Sequence, residues 1–90
     1  MGPEVIAGQL WVNAKIRELA EGKEPMVQAF EWEDPSERNG RDFIEGTIGL
    51  AIFVGAQRRV IRFLESELAD VEGDQEVQRN LSDRLRKALQ

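Results

Sequence analysis

The chain contains no histidine, no cysteine and no tyrosine. Those absences remove the commonest general base, the strongest side-chain nucleophile and the phenol from any catalytic scheme. Without cysteine there are no disulfides and no thiolate metal ligands, which fits a reducing compartment. Ser36, Ser66 and Ser82 have no base beside them in the sequence. Gly46-Thr47-Ile48-Gly49 lacks both the spacing and the lysine of a phosphate-cradling loop. A carboxylate pair could act on a glycoside only across a groove with the two acids about 5–10 Å apart, which so short a chain rarely builds alone. The expectation is a protein that is not an enzyme and needs no cofactor.

Long hydrophobic runs are missing too. The longest uncharged stretch runs from Gly46 to Gln57, between Glu45 and Arg58. It falls short of the roughly 20 residues that cross a bilayer. Met1 to Leu10 has neither the basic start nor the long apolar core of a signal peptide. A soluble, cytoplasmic protein with no membrane partner is expected.

What is there fits one small domain spanning residues 1–90. Apolar residues make up 41% and charged residues 32%, so the chain reads as folded rather than disordered. Its core must be modest, because small domains leave much surface wet. The net charge is −5, unevenly spread. Residues 1–37 carry eight acids against three bases, and residues 65–90 seven acids against four bases. The middle, residues 38–64, carries five bases, all arginine, against two acids. Overall acidity disfavours a general nucleic-acid binder, since phosphate attraction sums over the whole molecule.

Phe43, Thr47, Leu50, Val54, Gln57, Ile61, Leu64, Leu68 and Val71 alternate in steps of four and three. That heptad stripe predicts one long helix, about 41–72, burying a seam along its length. At ~1.5 Å per residue such a helix is about 44 Å long, and a compact monomer of this size is only about 30 Å across. A partner is therefore expected, most simply in a twofold dimer. Gly46, Gly49 and Gly55 each cost such a helix roughly 1 kcal/mol relative to alanine. Close helix approach along Thr47, Ala51 and Gly55 is the expected compensation.

Around this helix the remaining elements are simpler. Glu72-Gly73-Asp74 reads as a cap and a new start, followed by an amphipathic helix over about 75–89 with Val77, Leu81, Leu85 and Ala88 on one face. Pro3 to Glu21 reads as a helix ending at Gly22, with a β-hairpin joining residues 10–17 to 26–32 as the other possibility. Met26 to Trp32 is strand-like in either case. Asp34-Pro35-Ser36-Glu37 has the form of a helix start, broken again at Asn39-Gly40. The fold class expected is mainly α, a helical hairpin built on the long central helix.

Candidate sites follow from that frame. Phe43, Leu50, Val54, Gly55, Ile61, Leu64 and Leu68 are the expected dimer interface, with Trp32 as a possible anchor beside Trp11. Arg58, Arg59 and Arg62 would share a helix face and grip phosphates or an acidic partner, although charge runs on helices are usually only solvating. Glu31, Glu33, Asp34 and Glu37 could offer oxygen ligands, but they lack the spacing and glycine of a calcium loop, so no metal is expected. The function expected is a protein–protein interaction or oligomerisation module: an adaptor, assembly factor or regulator. The competing reading is a dimeric nucleic-acid-binding regulator using the helix-borne arginine face.

Overall fold

The computed structural model describes residues 2–21, 27–33 and 46–89, apart from the side chain of Gln28. The order of elements is α1 (Pro3–Ala20), β1 (Val27–Trp32), β2 (Thr47–Val54), β3 (Gln57–Leu64), α2 (Glu65–Asp70) and α3 (Gln75–Ala88). The fold is α+β, and the mainly α expectation is overturned. No long central helix exists: residues 47–64 form two antiparallel strands, and helix resumes only at Glu65. Phe43, the helix start at Asp34–Glu37, the break at Asn39-Gly40 and the Gly22 cap lie outside the described residues.

The three strands form one antiparallel sheet in the order β1-β2-β3. Ile and Val recur through β2, and branched side chains suit a pleated surface better than a helix. Gly55 then turns the chain at φ +59°, and among the described residues no non-glycine residue has positive φ. Only Gly55 and Ala56 separate Val54 from its pairing partner Gln57. A two-residue turn with glycine first is the type II′ hairpin, whose twist matches its strands. The glycine that burdened the helix reading is what the turn requires. β1 pairs with β2 of its own chain, not with residues 10–17, and a register shift marks a bulge between Val27 and Ala29.

Side chains alternate across the sheet. On one face lie Ile48, Leu50, Ile52 and Val54 of β2, with Ile61 and Phe63 of β3 and Phe30 and Trp32 of β1. α1, α2 and α3 cover this face. Val12 and Ile16 of α1, Leu68 of α2 and Leu81 and Leu85 of α3 complete the buried core, with Val71 and Leu89 just beyond their helices. The molecule measures only 17 Å along its shortest axis, which suits one layer of helix on one layer of sheet.

Local chemistry seats each helix. α1 begins on Pro3, where a missing N–H costs nothing. Gly8 lets α1 meet α2 backbone to backbone, because a Cβ there would lie 1.9 Å from the Leu68 carbonyl oxygen. The Trp32 indole N–H donates to Asn13 Oδ1 at 2.8 Å, and the Arg17 guanidinium sits 5.7 Å from the Phe30 ring, so α1 is tied to β1. Asp74 caps α3 by accepting from the Glu76 and Val77 N–H groups. The helix expected over 75–89 is present as α3, and the N-terminal segment takes its helical alternative.

Candidate interaction surface

Among the described residues no helix covers the opposite face of the sheet. Its side chains are Ala29, Glu31 and Glu33 from β1 and its end, Thr47, Gly49, Ala51 and Phe53 from β2, and Arg58, Val60, Arg62 and Leu64 from β3. The register aligns them in rows: Ala29–Phe53–Arg58, Glu31–Ala51–Val60, and Glu33–Gly49–Arg62. Val60 and Leu64 are each 50% exposed, a large share for apolar side chains on a sheet. Glu31 and Arg58 are exposed, and Phe53 is half-buried.

One cross-strand pair dominates the surface. Arg62 Nη1 donates to Glu33 Oε2 at 3.0 Å and to Thr47 Oγ1 at 3.2 Å. The same Glu33 oxygen accepts the Gly49 N–H at 3.0 Å, while the Glu33 N–H donates to the Gly49 carbonyl at 2.8 Å. A carboxylate thus takes the place of the next carbonyl in the β1–β2 ladder. Gly49 makes this possible, since a Cβ there would lie 2.8 Å from Glu33 Oε2. Both charged side chains are about one-fifth exposed, so the pair is partly desolvated and charge-assisted. Sequence reasoning placed Glu33 in an acid cluster and Arg62 on a solvated helix. The pairing joins residues 29 apart, which no local pattern reveals.

The pattern of charge across the face is simple. Acids lie on the β1 side and bases on the β3 side, with small and apolar residues between. The three arginines singled out from the sequence are not one patch, because β3 is a strand and not a helix. Arg58 and Arg62 point to the open face. Arg59 points to the other, where its guanidinium donates to the Ala88 carbonyl and to Gln57 Oε1. There it complements the C-terminal end of α3. The helix-borne arginine face is therefore absent.

The expected interface residues are also redistributed. Leu50, Val54 and Leu68 are core, and Ile61 packs against that core. Gly55 forms the hairpin turn. Trp32 faces the helices, with its ring centroid 5.8 Å from that of Phe63. Trp11 packs against the core with Lys15 5.5 Å from its ring. Of the described residues of the heptad stripe, Thr47 and Leu64 lie on the open face. Val60 and Phe53, which the heptad stripe leaves out, share that face. Of the acid cluster, Glu31 lies on β1 and Glu33 just past its end, with Glu33 engaged as above, and Asp34 and Glu37 lie outside the described residues. Among the described residues no group of three acids is placed to hold a metal ion, and no helix is long and apolar enough to cross a membrane.

Behind β3, Arg84 of α3 binds the strand to the helices. Its Nη1 donates to the Arg62 carbonyl at 3.3 Å, its Nη2 pairs with Glu67, and its guanidinium lies 5.7 Å from the Phe63 ring. Glu67 in turn accepts the Leu64 N–H at 2.9 Å. The open face therefore rests on a strand fixed from its other side.

Comparison with family models, with curated proteins and with solved structures finds no match to this chain.

Proposed function

We propose that this chain is a non-enzymatic protein–protein interaction module that presents the open face of its sheet to a protein partner. The observation that carries the reading is the half-exposure of Val60 and Leu64 beside Phe53 and Ala51, on a sheet whose other face is fully used by helices. Apolar residues framed by charged ones are the usual makeup of a protein-binding patch. The chain's net charge of −5 favours solubility. A cysteine-free chain of this kind suits the cytoplasm. The nucleic-acid reading loses its support with the arginine trio divided between two faces and Arg62 already paired with Glu33.

Site-specific photocrosslinking tests the reading. A photoactivatable phenylalanine replaces Val60 in one version of the protein and Arg79, exposed on α3, in another. In cells that make the protein, position 60 is expected to give discrete protein adducts that position 79 does not. Equal labelling at both positions, or nucleic acid as the product at position 60, would overturn the reading.

A further inference from the structure

We infer that the partner of this face is a second copy of the chain, stacked face to face about a twofold axis parallel to the strands. The inference rests on the interaction reading above and names its occupant. A twofold interface joins a surface to itself, so the surface must complement itself. This face has the required asymmetry. Glu31 and Glu33 lie along one side, Arg58 and Arg62 along the other, and Ala51 and Phe53 run down the middle.

Turning one copy over about an axis above β2 lays the partner's β1 on β3 and keeps each row at its own level. The second copy of Glu33 then meets Arg62, and the second copy of Glu31 settles on Val60, between Arg58 and Arg62. Each contact occurs twice. Turning the copy about the perpendicular in-plane axis would instead lay β1 on β1 and set acids against acids, which is destabilising at close range. Charge therefore selects the first arrangement. Glu33 and Arg62 already satisfy each other within one chain. The groups that gain a partner are Glu31 and Arg58, both exposed. Sheets that pack this way lie about 10 Å apart with strands aligned within about 30°. Phe53 and Ala51, on the axis, would meet their own copies and supply the apolar contact.

The face is small. Three strands spaced about 4.8 Å apart and eight residues rising about 3.3 Å each give roughly 14 by 26 Å. A standard interface buries about 800 Å² on each partner. The association is accordingly reversible and concentration-dependent, and it weakens as salt screens the exposed pairs.

Sedimentation velocity of the full chain over a concentration series tests the geometry. Wild type is expected to move from monomer to dimer as concentration rises. Arg58→Glu and Glu31→Arg are each expected to weaken dimerisation about fivefold or more, since each replaces two attractions with two repulsions. The double variant Glu31→Arg/Arg58→Glu is expected to return to within about threefold of wild type, as a swapped pair should. Both residues are exposed, so circular dichroism should show every variant folded. An edge-to-edge dimer through β3 would leave Glu31 two strands away, and Glu31→Arg would then have no effect.

A second measurement is independent of charge. Ala51→Cys in this cysteine-free chain should be joined to its copy by a thiol reagent spanning about 10 Å, and Asp83→Cys on α3 should not. A wild type that stays monomeric into the millimolar range overturns the dimer. A protein adduct from position 60 to a different chain would still leave the interaction reading standing. Silent single variants, or a double variant weaker than either single, overturn the face-to-face geometry.

Discussion

On the helix side of the sheet Ile48, Leu50, Ile52 and Phe63 are completely buried, while on the other side Val60 and Leu64 keep half their surface. The same three strands serve both faces, so the difference lies in what each face is asked to do. The covered face holds the domain together through burial, worth about 1.5–3 kcal/mol for each large apolar side chain. The open face is organised by one ion pair and a glycine, with its apolar groups left to solvent. Stability and surface chemistry are thereby separated by one residue's step along a strand.

The sharpest way to break the comparison is to cut into the covered side. Phe63→Ala removes a fully buried ring that touches Trp32 and Arg84, and about 3–5 kcal/mol of stability should go with it in urea denaturation. Gly8→Ala should cost less. Its new methyl meets the Leu68 backbone, an overpacking of about 1–3 kcal/mol, against which better helix propensity returns about 1 kcal/mol. The expected sign is a net loss of thermal midpoint, and a gain would show that α1 slides freely on α2.

On the open side the effects should be smaller. Glu33→Gln weakens a charge-assisted pair and is expected to cost about 1–2 kcal/mol by the same denaturation assay. Gly49→Ala should cost a similar amount by displacing the same carboxylate, and the double variant should fall clearly short of the sum. Full additivity would mean that the glycine and the pair act separately. Smallest of all is Leu64→Glu, which should change folding stability by no more than about 0.5 kcal/mol because the residue faces solvent. On a heptad seam the same substitution would unfold the protein, so this one measurement separates the two architectures.

The heptad stripe misled for a physical reason. A step of four along a strand returns to the same face, just as it does along a helix. A step of three across a two-residue turn joins directly paired residues, as Val54 and Gln57 are joined here. Leu50, Val54, Gln57 and Ile61 therefore share the helix-covered side of a hairpin while counting like a helix. Leu64 breaks the match, since three residues along a strand lead to the other face. Strand alternation was hidden in β2 because Gly49, Ala51 and Phe53 on the open side are uncharged too. The clue available was the density of glycine among branched residues, read above as a cost of the helix rather than as an argument against it. Ends were more legible than the middle. Asp74 as a cap and the apolar face Val77, Leu81, Leu85 and Ala88 that follows marked α3, and Pro3 marked α1. The open face was not legible, because its chemistry depends on Glu33 lying beside Gly49 and Arg62.

Arg84 and Glu67 have a consequence for the chain's history. Gly49 uses both of its main-chain groups toward β1, so the main-chain groups of Arg62 opposite it point away from β2, off the edge of the sheet. Bare groups of this kind recruit foreign strands and seed fibrils. The guanidinium that covers the Arg62 carbonyl belongs to a residue that leaves the ribosome 22 positions after Arg62 itself. Until α3 docks, the Arg62 carbonyl lacks this cover, so disrupting α3 should expose a strand edge as well as part of the core.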